Sequence, residues 1–180
     1  MMYASTLEDL IFKMKNTKQF ENMDVLQHGE SVHSAYLELI SELENGNHQI
    51  SDLYFKLKNK LLDIDTMERY HIYHDCGKPF CQDDAGRFPN HAMHSCNQWK
   101  LLFPDDVIVQ ELMKHDMDFH IMRGDDIMNL WQNPLAPSLY LTAWAELEAN
   151  AVMFGGRNSD SYKIKRKRLI QAGKKYDSHP

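Results

Sequence analysis

Between residues 73 and 95 the chain carries Tyr73-His74-Asp75-Cys76-Gly77-Lys78-Pro79 and then Phe88-Pro89-Asn90-His91-Ala92-Met93-His94-Ser95. An imidazole beside a carboxylate offers a divalent cation two ligands of different hardness from neighbouring backbone positions. Two ligands do not make a site, and the other histidines are spread along the chain. A metal centre here therefore requires distant segments to converge. Those segments repeat their apolar residues with the period of a helix, so the expected fold class is all-α.

The helices are read as follows. Ser5-x-x-Glu8 is a capping box in front of Leu7, Leu10, Ile11 and Met14. Val32, Tyr36, Leu39, Ile40 and Leu43 make a stripe that Asn45-Gly46-Asn47 ends, with His28 at its beginning and His33 on its body. Ile50, Leu53, Tyr54, Leu57 and Leu61 make another. Asp65 or Thr66 can cap a helix that carries Met67, Tyr70 and His74 on one face and is broken after Asp75 by Cys76-Gly77-Lys78-Pro79. Pro89 suits the first turn of a helix running through Trp99 to Phe103, on which His91 and Ser95 share a face and His94 lies close by. Ile108, Leu112, His115 and Phe119 form a stripe that puts His115 on the buried side. Ser138 opens a helix with Tyr140, Trp144, Leu147 and Ala151 on one stripe and Thr142, Ala143, Glu146, Asn150 and Met153 on a second, ended by Gly155-Gly156. A short basic helix follows, capped around Ser159-Asp160-Ser161 and closed by Gly173.

His28 and His33 cannot both face one site. Five residues on a helix rotate by about 500°, which leaves them about 140° apart. Val32, four residues after His28 on the apolar stripe, favours His28; His33-Ser34 is the competitor.

Composition narrows the setting. The 180 residues suit one domain with its own core, and 43% hydrophobic with 26% charged residues is ordinary for a globular protein. No apolar run approaches the roughly 20 residues that cross a bilayer, and Met1 to Phe20 mixes lysines and acids, so a cytoplasmic protein without membrane association is expected. The formal charge of −6 hides an asymmetry: Lys163, Lys165, Arg166, Lys167, Arg168, Lys174 and Lys175 crowd the C-terminal end. That basic extension, residues 157–180, is either a solvated face balancing an acidic body or a contact for nucleic acid. Cys76, Cys81 and Cys96, an odd count, point to reduced thiols. A structural zinc on Cys76 and Cys81 with His91, His94 or Cys96 is a rival, although the spacing lies at the wide edge of the usual pattern and no second tight pair exists.

His74-Asp75-x-Gly77-Lys78-Pro79 followed by Phe88-x-x-His91-x-x-x-Ser95 resembles the HD-domain superfamily of metal-dependent phosphohydrolases, in particular the HD region of bacterial CCA-adding enzymes. The likeness covers residues 28 to 153 or so and implies a single HD-type helical domain with the basic helix appended. It implies a first metal held by His28, His74, Asp75 and Glu146. Glu146 departs from the aspartate of that family, and Glu148, Asp125 and Asp116 are the other candidates for that ligand. It also implies that His91 and His115 hold a second metal or bind phosphate. Lys78 stands near enough to Asp75 to serve as a cation for phosphate, and it occupies the place where the nucleotidases of the superfamily have a glutamate.

Imidazoles with one or two carboxylates suit Mn, Fe, Co, Ni or Zn better than an all-oxygen magnesium cage, as one ion or two. Such an ion acidifies a bound water and polarises a phosphoryl oxygen, which is the chemistry of phosphoester hydrolysis. The expected function is hydrolysis of phosphomonoesters or cyclic phosphodiesters of nucleotides or RNA ends, with Asp75, Lys78, His91 and His115 as catalytic residues. The alternatives are a dNTP or 5′-nucleotide phosphohydrolase and a non-catalytic nucleotide- or nucleic-acid-binding module with a degenerate site.

Overall fold

The computed structural model describes residues 2–176. It is all-α apart from one small hairpin. In order the elements are α1 (Leu7–Lys15), β1 (Lys18–Phe20), β2 (Met23–Asp24), α2 (Val25–Glu44), α3 (Ser51–Leu57), α4 (Ile64–Tyr73), α5 (His91–Leu102), α6 (Val107–Lys114), α7 (Asp118–Ile121), α8 (Asp125–Leu130), α9 (Ala136–Ala149) and α10 (Asp160–Tyr176). Two compact units arise from this order. One combines Ile64–Asp116 with the segment up to Ser31, and the other combines Val32–Asp63 with the segment from Met117 onward. The boundaries between them fall inside α2 and after Asp116. Residues 177–180 of the expected basic extension lie outside the described residues. Among the described residues no helix is long and apolar enough to cross a membrane.

The first unit packs α4, α5 and α6 around Met67, Tyr70, Trp99, Leu112 and Met113, all essentially inaccessible to solvent. Its N-terminal segment is pinned to α5: the Ala4 N–H donates to Gln98 Oε1, Gln98 Nε2 donates back to the Ala4 carbonyl, and the Tyr3 hydroxyl meets His94 Nδ1. This pinning sets where α1 can begin. The cap is Thr6, whose hydroxyl accepts from the Asp9 N–H at 3.1 Å, and not Ser5. The hairpin, unannounced by any alternating apolar run, pairs Lys18 with Asp24 and Phe20 with Met23 through a turn in which Glu21 takes φ 42°.

Other starts and stops shift as well. α4 begins at Ile64, ahead of the expected caps. Pro89 precedes α5, whose cap residue Asn90 is left-handed at φ 55°. In α6 the expected stripe is displaced: Ile108 is 48% exposed, and Val109, Gln110, Leu112 and Met113 face inward. Asp106, at the cap position, is fixed by Trp99 Nε1 and Arg69 Nε, both 3.2 Å from its Oδ2. The helix stops at Lys114, so Phe119 belongs to α7 instead of extending the stripe.

In the second unit Val32, Tyr36, Leu39 and Leu43 of α2 are buried as their spacing requires. α9 starts at Ala136 with Pro137 in its first turn and is buried on every side as far as Leu147, so the two stripes read from its sequence are two halves of a fully enclosed helix. It ends at Ala149, before Gly155-Gly156. Ser159 caps α10 by accepting from the Tyr162 N–H. Gly173 does not close that helix, which runs on to Tyr176. A Cβ at Gly173 would lie 2.4 Å from the Tyr140 hydroxyl, so the residue is small because α9 passes close by.

Candidate metal centre

Asp75 is the focus. It follows α4 in a turn, is 2% exposed, and is approached by cationic or imidazole nitrogens from four residues. Lys78 Nζ lies 2.5 Å from Oδ2, with His74 Nε2 at 3.3 Å and His28 Nε2 at 3.5 Å from the same oxygen. His91 Nε2 lies 3.5 Å from Oδ1. Burial alone would raise the carboxyl pKa, but Lys78, then His74 and His91, overcome it and hold the group well below the usual carboxylate range. Asp75 is therefore an anion.

The motif glycine and serine explain how the turn is held. Gly77 has an ordinary φ of −79°, so its smallness answers a question of space rather than of conformation. A Cβ there would sit 2.2 Å from the Ser95 nitrogen and 2.6 Å from the His91 carbonyl. The turn thus lies directly against the first turns of α5, and the Gly77 N–H donates to Ser95 Oγ at 2.8 Å. Gly29, beside His28, does the same for α2: a Cβ there would meet the Ile72 carbonyl at 2.2 Å. Both contacts bring a histidine-bearing helix to Asp75.

His74 and His91 are oriented alike. His74 Nδ1 is 2.7 Å from the His71 carbonyl, and His91 Nδ1 is 3.1 Å from the Phe88 carbonyl. A carbonyl only accepts, so each Nδ1 carries the proton that it donates, and Nε2 is the ring atom aimed at Asp75. Backbone-anchored imidazoles of this kind are how proteins orient metal-ligating histidines.

Asp75 Oδ1 is buried and has no hydrogen-bond partner among the described residues. A buried carboxylate oxygen left in that state is costly unless an ion completes it. Asp116, 6% exposed, supplies a third side chain: donor atoms of His74, Asp75 and Asp116 all lie within 4.8 Å of one another, and the Tyr70 hydroxyl donates to Asp116 Oδ1 at 2.5 Å. These buried groups can hold a metal ion. The donor set, mixed imidazole and carboxylate, fits a borderline divalent cation.

The other expected residues fall variously. Lys78 is 7% exposed, bridges Asp75 to Gln19 Oε1 of β1 at 2.9 Å and lies over the Phe88 ring. His33 is half-buried farther along α2. His115, expected on a buried stripe, caps the end of α6 with a side chain 29% exposed and lies 3.7 Å from Glu111 Oε2. The displaced register of α6 buries Asp116 in its place. Glu146 is on α9 in the second unit, buried, and 2.5 Å from His120 Nε2. Glu148 pairs with Arg157, and Asp125 opens α8 on the surface. The thiols are free; Cys76 Sγ points to the Ser95 carbonyl, burial raises its pKa, and among the described residues no cysteine joins a group close enough to share an ion. Gln19 was not foreseeable, because the short hairpin that carries it has no periodic signature.

No protein-family model matches the chain, and neither does any curated protein or solved structure.

Proposed function

We propose that this chain is a metal-dependent phosphohydrolase of the HD type, acting on phosphomonoesters or cyclic phosphodiesters of nucleotides or RNA ends. The observation that carries the reading is the pair His74 and His91, each anchored by Nδ1 to a backbone carbonyl and each turning Nε2 towards the anionic, incompletely bonded Asp75. His28, His74, Asp75 and Asp116 would hold one Mn, Fe, Co, Ni or Zn ion, with His91 available to a second ion or to phosphate. A bound ion of this kind supplies an acidified water and a Lewis acid for the phosphoryl group. Lys78 keeps Asp75 ionised and brings positive charge to the site. A binding module without catalysis is the second reading, favoured by one contact: Lys78 Nζ already neutralises Asp75 Oδ2.

The test combines metal analysis of the purified protein with assays on 2′,3′-cyclic nucleotides and nucleoside monophosphates across added Mn, Co, Ni, Zn and Mg. The expected result is one or two bound equivalents and turnover that depends on the added ion. Asp75→Asn and His74→Ala should each lose roughly 100-fold or more in rate while keeping their helicity. Bound metal without turnover leaves the binding module, and unchanged hydrolysis in both variants refutes the site.

A further inference from the structure

A second cluster of cations lies in the unit formed by residues 32–63 and those from 117 onward, and the metal chemistry does not use it. Between α7, α8 and α10 lies an open cleft of about 510 Å³ whose lining includes the cations Arg123, Arg168, Lys174 and Lys175 and the apolar side chains Phe119 and Ile127. Among the described residues no carboxylate lines it. Glu146 lines a much smaller adjoining cavity, where it faces His120. Neither Arg168 nor Lys175 makes an ion pair among the described residues.

Arg123 is held ready rather than loose. Its Nη1 donates to the Met122 carbonyl and its Nη2 to the His120 carbonyl at 2.9 Å, contacts that fix the plane of the guanidinium and use two of its five N–H donors. Burial, and then the charge of Arg168, lowers its pKa. Two guanidiniums within electrostatic reach of each other, without a carboxylate on the walls, are repulsive until an anion sits between them.

From this geometry we infer a ligand site for a nucleoside di- or triphosphate. Arg123, Arg168 and Lys175 alone bring three positive charges, more than one monophosphate neutralises and close to the three to four negative charges of a nucleoside polyphosphate. The volume falls within the roughly 300–1,000 Å³ of small-molecule sites, and Phe119 and Ile127 give the lining an apolar part for a nucleoside. An inorganic anion would leave those apolar residues unused, and a cleft of this volume matches a single nucleotide.

The site is independent of the hydrolase reading and stands even if the chain hydrolyses nothing. The full chain in EDTA, so that no metal-dependent contact contributes, is titrated by calorimetry with ATP, ADP, AMP, tripolyphosphate and a short single-stranded oligonucleotide. Saturable one-to-one binding of ATP and ADP is expected, at least about tenfold tighter than AMP or tripolyphosphate, and weakened at least about tenfold by Arg123→Ala or Arg168→Ala. Both side chains are exposed, so the variants should keep the wild-type circular dichroism and melting temperature. Absence of saturable ATP binding overturns the site, as does full affinity in either arginine variant. Tripolyphosphate or the oligonucleotide binding as tightly as ATP overturns the assignment of the ligand.

Discussion

A glycine after a His-Asp pair reads naturally as a helix breaker, but at residue 77 the constraint is distance. The backbone is in a region open to any residue, and the next helix lies where a methyl group would have to be. The neighbours are backbone atoms of α5, which cannot rotate away as a side chain would. Gly77→Ala should therefore cost about 1–3 kcal/mol as an overpacked contact and push His91 away from Asp75. Urea unfolding measures the first effect, and loss of metal affinity at unchanged fold reports the second. A variant within about 0.5 kcal/mol of wild type would show that the turn has room to spare. Ser95 is the other half of the contact: its hydroxyl accepts from the Gly77 N–H, which accounts for its spacing from His91 without giving it a part in the chemistry.

At the level of elements, a helix is legible when its own residues decide it and ambiguous where neighbours do. Val32, Tyr36, Leu39 and Leu43 repeat correctly and are buried correctly, because the period of α2 is a local property. The start of α1 is different. Serine is intrinsically the better cap, yet Thr6 takes the position, just after Ala4, whose backbone N–H and carbonyl are both held by Gln98 ninety-four residues away. The register of α6 is set in the same way by Trp99 and Arg69 on Asp106, and the one-residue shift that follows exchanges His115 for Asp116 as the buried side chain. Thr6→Ala should then lose about 1 kcal/mol of stability and Ser5→Ala close to nothing, measured side by side by chemical denaturation. The reverse order would return the cap to Ser5.

For the molecule as a whole, the His74-Asp75 core of the site was readable, His28 was favoured by its spacing to Val32, and Asp116 stood only as one of several candidate carboxylates. His28 and Asp116 reach Asp75 across long separations, the choice among carboxylates is made by packing that no period encodes, and Gln19 arrives through Lys78 on a hairpin too short to announce itself. This dispersal has a thermodynamic consequence. The unfolded chain cannot assemble ligands from residues 28, 74, 75 and 116, so an ion that binds them binds the folded state and stabilises it by mass action. At a free metal concentration one hundred times the dissociation constant the gain is about 2.7 kcal/mol. Thermal unfolding with Mn2+ and with EDTA should therefore differ, with the metal-bound protein melting higher and the difference vanishing in Asp75→Asn. Hydrogen exchange should place the added protection in α4, α5 and the turn that carries Asp75, the elements whose backbone carbonyls orient His74 and His91. Melting temperatures in Mn2+, Co2+, Ni2+ and Zn2+ that all equal the value in EDTA would mean that Lys78 alone answers the charge of Asp75 and that the imidazoles face it without an ion.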